Sequence, residues 1–146
     1  MQKVLILNGP NLNMLGTREP EVYGSLNLAE IQAICETKAG ALNLVCEFVQ
    51  SNDEAVLVAA VQQAVIENLP VIINPAAFTH YSYGLRDACA QHTAPMIEIH
   101  LSNPHKRESF RRNSVVSDVV DGTIAGFGAN SYVLALEAIA EMIKTQ

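Results

Sequence analysis

Lys3-Val-Leu-Ile-Leu7 runs directly into Asn8-Gly-Pro-Asn-Leu-Asn-Met-Leu-Gly-Thr-Arg-Glu-Pro-Glu-Val-Tyr-Gly24, and that junction decides how the chain is read. A short apolar run closed by a turn signal predicts a buried strand. Helical spacing does not begin until about Leu28, so an unusually long polar connection joins the first strand to the first helix. Connections of that length are usually functional. Residues 8–25 hold Arg18, Tyr23, several asparagines and two prolines, with Gly16 and Gly24 placed as hinges. They read as an active-site lid.

Further apolar runs bounded by turn signals lie at 44–49, 71–73, 96–101 and 123–125. Helical spacing follows most of them: Leu28, Ile31, Ile34 and Cys35; Leu57, Val61, Ala64 and Val65; Leu85, Ala88 and Cys89; Leu134, Leu136, Ile139 and Ile143. After the fourth run only a short helix near 107–112 is expected. This alternation predicts an α/β fold, a five-stranded parallel sheet between two helix layers. The flavodoxin-like order 2-1-3-4-5 fits, with ligands at the carboxyl ends of the strands beside the reversal between strands 1 and 3. Three polar clusters, 8–24, 74–87 and 100–112, then converge on one mouth.

With 146 residues and no linker, repeat or low-complexity segment, the sequence predicts one domain over 1–146. Charged residues make up 16% and hydrophobic ones 49%, against the roughly 25% charged usual for soluble domains. A chain of that balance suits burial between subunits. The net charge of -6 argues against nucleic acid or an anionic membrane as partner. Lys106, Arg107, Arg111 and Arg112 nevertheless form one basic knot, which suits a small anionic ligand. Cys35, Cys46 and Cys89 form no Cys-x-x-Cys pair and follow no cleavable leader. They are expected to be reduced thiols of a soluble cytoplasmic protein.

A phenol ordinarily titrates near pH 10 and is a base at neutral pH only when a nearby cation stabilises the phenolate. Tyr23 stands five positions after Arg18, a guanidinium that stays charged, so Tyr23 is the candidate general base and Arg18 its electrostatic partner. His100, at the end of the fourth strand, follows Glu98 by two positions. On a strand that spacing shares one face, and a carboxylate holds an imidazole in a chosen tautomer with a proton available. The histidines lack a convincing metal-ligand spacing, so no metal or cofactor is called for.

Beyond these residues, the blocks Asn8-Gly-Pro-Asn-Leu-Asn, Arg18-Glu-Pro-x-x-Tyr-Gly24, Gln50-Ser-Asn, Asn74-Pro, Thr79-His80, Leu85-Arg-Asp-Ala88, Glu98-Ile-His-Leu-Ser-Asn103, Arg107-Glu-Ser-Phe-Arg111 and Tyr132-x-Leu-Ala-Leu occur in order. Taken together, the chain resembles the type II 3-dehydroquinate dehydratases almost from end to end. The resemblance implies anti elimination of water from 3-dehydroquinate to 3-dehydroshikimate through an enolate, in the shikimate or quinate pathway. Tyr23 would be the base, Arg18 its partner, His100 the acid and Glu98 its orienting carboxylate. Asn11 would hold a water or the developing enolate oxygen. Asn74, His80, Leu101, Ser102 and Arg111 would bind substrate, and Asp87 would reach a neighbour's site within a trimer, four trimers forming a dodecamer.

The chain departs from the family pattern at Asp53, Ala55, Ala76, Phe78, Tyr81 and Tyr83. Ala76 matters most if its backbone needs positive φ, a conformation cheap only for glycine. A rival reading is a flavodoxin-like flavin or nucleotide carrier, supported by Gly126-Phe-Gly-Ala-Asn-Ser131, but this segment lacks the third glycine of a dinucleotide fingerprint and follows the wrong strand. A lysine-imine barrel enzyme needs about 250 residues, more than this chain has.

Overall fold

Val4 and Ile6 point into one apolar cluster and Leu5 and Leu7 into another, so the first strand, β1 (Gln2–Asn8), is buried on both faces. That two-sided burial explains its continuous apolar run. The structure, a computed structural model, describes residues 1–17 and 19–145. Arg18, the expected electrostatic partner, lies outside the described residues.

The remaining strands are β2 (Leu44–Gln50), β3 (Val71–Asn74), β4 (Met96–His100) and β5 (Gly122–Ala125). All pair in parallel, in the order β2-β1-β3-β4-β5, as the alternation predicted. One helix layer is α2 (Leu28–Ala41) with α5 (Asn130–Lys144), the other α3 (Glu54–Glu67) with α4 (Tyr83–Ala90). Ile31, Tyr132, Leu136 and Ile139 cover the first face of the sheet; Leu57, Val61, Leu85 and Cys89 cover the second. Helix starts are fixed locally. Asn27 and Glu30 form a reciprocal capping box on α2, while Asp53 and Ser82 accept backbone N–H bonds at the starts of α3 and α4. Among the described residues no helix is long and apolar enough to cross a membrane.

Two expectations need correction. The 8–25 connection is not plain loop: it winds a 3₁₀ turn at Leu12–Met14 and a one-turn helix, α1, at Pro20–Tyr23. Pro20 presets the φ of the first helical position, and Gly24 at φ 89 ends the turn. The helix expected near 107–112 is instead two 3₁₀ turns, Pro104–Lys106 and Ser109–Arg112.

β1 and β3 end in register, Asn8 opposite Asn74, and the Gly9 amide continues the pairing to the Asn74 carbonyl at 2.8 Å. Just beyond, the Pro75 carbonyl oxygen lies only 2.4 Å from where a Cβ on Gly9 would sit. Only glycine fits. Ala76 then adopts φ 52, the conformation suspected from its place in the sequence. Left-handed backbone costs an L-residue about 1–2 kcal/mol, and glycine gives back about 0.5–1 kcal/mol in chain entropy. Ala76→Gly is therefore expected to raise unfolding stability by about 0.5–1 kcal/mol, read from the urea midpoint at unchanged slope. A destabilised variant would show that the Ala76 methyl packs more favourably than its backbone is strained.

Candidate active site

At the carboxyl ends of β1, β3 and β4 a cavity opens beside the strand-order reversal. Its lining includes Asn11, Tyr23, Asn74, Ala76, His80, His100, Leu101, Ser102, Arg107 and Arg111. Three separated segments of sequence thus meet at one mouth. Glu98 stands behind His100, fully buried. Asp87 is exposed on α4 and does not line this cavity.

The 8–25 connection is tied to β2. Asn52 Oδ1 accepts the Asn11 backbone N–H at 2.9 Å, and Gln50 Nε2 donates to the Gly9 carbonyl at 3.1 Å. Asn11 itself is left-handed, at φ 69, a conformation asparagine tolerates better than most residues. The Gln50-Ser-Asn52 block thereby anchors the root of this connection, a role its sequence did not disclose.

Tyr23, the last residue of α1, lies under the Arg107 guanidinium, whose carbon is 5.0 Å from the ring centroid. Arg107 also donates to Ser102 Oγ at 3.3 Å and stands 3.7 Å from the Glu19 carboxylate. One cation therefore joins the 8–25 connection to the segment that follows β4. Sequence reasoning assigned Arg107 no part in the site. The hints were its membership of the basic knot at 106–112 and of the Arg107-Glu-Ser-Phe-Arg111 block.

Glu98 and His100 share a strand face and meet at 2.5 Å, Oε2 to Nε2. The carboxylate accepts, so Nε2 carries a proton and Nδ1 is the nitrogen left to face a ligand. Thr79 Oγ1 donates to the same carboxylate at 2.7 Å and Ser117 Oγ at 2.5 Å. Burial alone would raise the Glu98 carboxyl. The bonds from His100, Ser117 and Thr79 outweigh it and hold the group below its ordinary value of 4.5.

A carboxyl lowered in the folded state stabilises the fold fully above its unfolded value, and that stability is lost as pH falls through the lowered folded value. Glu98→Gln is therefore expected to weaken the protein at neutral pH and to flatten its loss of stability on acidification. Urea midpoints across the acid range check this. An unchanged acid slope would mean that Glu98 is not a source of the pH dependence.

His80 Nδ1 contacts the Asn113 carbonyl at 2.7 Å, so Nδ1 is its donor and Nε2 remains available as an acceptor. Arg111 is held by Glu108 and covers the Phe110 ring at 4.8 Å, presenting its fork along one side of the cavity. Asn8 is a fully buried strand end bonded to the Val49 carbonyl at 3.0 Å. Among the described residues no group of three His, Cys, Asp or Glu side chains is arranged to hold a metal ion. Cys35, Cys46 and Cys89 are free thiols; burial, first of all, pushes each of them up, to about 12, 11 and 12 respectively.

Residues 2–140 match the family model described as Dehydroquinase class II. A protein of Dinoroseobacter shibae named 3-dehydroquinate dehydratase is 53% identical over 136 residues, 93% of this chain and 91% of its own. One of the same name from Xanthomonas euvesicatoria is 54% identical over 140 residues, 95% of each chain. Among solved structures, a type II dehydroquinase from Propionibacterium acnes superposes with a TM-score of 0.95 at 43% identity, covering 97% of both chains.

Proposed function

Because the chain belongs to the class II dehydroquinase family, we infer that it is a hydro-lyase that removes water from 3-dehydroquinate to give 3-dehydroshikimate, a step of the shikimate or quinate pathway. The observation that carries the reading is the convergence of Tyr23 from the lid and the Glu98-backed His100 from β4 on one cavity. Elimination beside a ketone needs a base at the acidic carbon and an acid at the departing hydroxyl. Those two residues supply one each.

Tyr23, as phenolate, takes the proton alpha to the ketone and an enolate forms. Arg107, over the ring, and Arg18, by resemblance, favour negative charge on that oxygen. Asn11 holds a water or the enolate oxygen. His100, as the imidazolium whose Nε2–H is held by Glu98, gives its Nδ1 proton to the hydroxyl, which leaves as water while the enolate collapses to the conjugated enone, and the ring is left neutral on Glu98. Arg111 takes the substrate carboxylate with its fork. Asn74, His80 and the Leu101-Ser102 segment take its hydroxyls.

Asp87 belongs to the same reading as a contributor to a neighbouring subunit's cavity in a trimer, with four trimers forming a dodecamer. Its exposure outside its own cavity supports this, as do Tyr81 and Tyr83 nearby, 57% and 68% exposed, which a second copy would cover. A cytoplasmic setting suits three cysteines that remain thiols. The direct test adds 3-dehydroquinate to the assembled protein and follows the ultraviolet absorbance of the enone. Absence of product would sink the assignment.

A further inference from the structure

Beneath the cavity lies a chain of hydrogen bonds whose direction is fixed at both ends. Asn8 Nδ2 donates to the Val49 carbonyl at 3.0 Å, which turns Asn8 Oδ1 the other way. The Tyr132 hydroxyl donates to that oxygen at 2.5 Å and accepts from Asn74 Nδ2 at 3.2 Å. Asn74 Oδ1 in turn accepts the Ala76 backbone N–H, also at 3.2 Å. A backbone carbonyl cannot donate and a backbone N–H cannot accept. Each link between them therefore has only one sense.

Tyr132 is fully buried and Asn74 is 2% exposed. Burial, first of all, pushes the Tyr132 phenol up, so it keeps the proton it donates. With Oδ1 committed to Ala76 and one Nδ2 hydrogen to Tyr132, Asn74 has its second Nδ2 hydrogen left for the cavity it lines. The site thus presents a donor there, and only an acceptor oxygen suits it.

We propose that Tyr132 is a positioning residue for the dehydration: its hydroxyl locks the Asn74 amide so that Nδ2, not Oδ1, faces the substrate. The inference rests on the assigned activity. Without the hydroxyl, Asn74 loses a bond that distinguishes its nitrogen from its oxygen, and the reversed amide would set an acceptor against a substrate oxygen. The contribution is to binding, so it belongs in KM more than in kcat.

The experiment is a cycle on 3-dehydroquinate turnover with the wild type, Tyr132→Phe, Asn74→Ala and the double variant. Tyr132→Phe is expected to raise KM roughly tenfold, the scale of one misdirected hydrogen bond, with kcat within about threefold. In the Asn74→Ala background the same change is expected to leave KM where Asn74→Ala put it, because the group being positioned is gone. A purely structural role would lower the unfolding midpoint without moving KM, or would multiply KM equally in both backgrounds. Either result overturns the proposal. Should Tyr132→Phe fail to fold, Asn8→Ala takes its place in the cycle: it removes the acceptor that orients the hydroxyl, and the same non-additivity is required. An inactive wild-type chain would overturn the activity and this inference together, whereas an active wild type with an unmoved KM removes only the inference.

Discussion

Tyr23→Phe is expected to fold normally and lose turnover by about 10²- to 10⁴-fold, the range that general-base catalysis supplies. The ring stays, so its contact with the Arg107 guanidinium at 5.0 Å stays with it, and the fold loses no buried bulk. What disappears is the oxygen that takes the proton. Since that oxygen works in the transition state, kcat and kcat/KM are expected to fall together while substrate affinity changes little. Single-turnover kinetics with 3-dehydroquinate separates the two. Near-normal turnover would place the base elsewhere, with the half-buried His80 the next group to examine.

His100→Ala is expected to cost about 10²- to 10⁴-fold in turnover, as the loss of a general acid does, and to differ from the tyrosine variant in a second respect. Glu98 would remain buried with Thr79 and Ser117 as donors but without the imidazole. Losing a hydrogen bond to a buried charge destabilises by about 1.5–3 kcal/mol, so this variant is expected to unfold at lower urea as well. The truncation leaves space in front of Glu98 for a small acid, and added imidazole is expected to restore part of the turnover. A fully stable and fully active His100→Ala protein would remove the acid from the scheme and the ring from the carboxylate's support.

Much of this was legible in the sequence for a physical reason. β1 and β3, buried on both faces, read as unbroken apolar runs, and the five runs map onto the five strands. Tyr23 and His100 could be named because their neighbours Arg18 and Glu98 already suggest chemistry, and Asn74 and Arg111 because the family resemblance implied them. Arg107 could not, since its partners Glu19 and Tyr23 lie more than eighty positions earlier and no periodicity links them. The burial of Asn8 was not legible, because an asparagine before Gly-Pro is ordinarily a turn-maker, and only the arrival of Tyr132 on α5 makes it a buried acceptor. Ala76 shows the boundary well. Its identity raised the question of positive φ, and the backbone at φ 52 answered it.

The bond from Tyr132 to Asn8 joins residues 124 positions apart, and this has a bearing on how the protein comes into being. During synthesis the first strand, the 8–25 connection, Tyr23 and His100 leave the ribosome well before the helix that closes the floor beneath them. A nascent chain lacking α5 has one face of its sheet only partly covered, and its Asn74 amide is held by the Ala76 backbone N–H alone. Contacts of such long range form late and slowly. The floor beneath Asn74 is therefore complete only once α5 has brought Tyr132 to it.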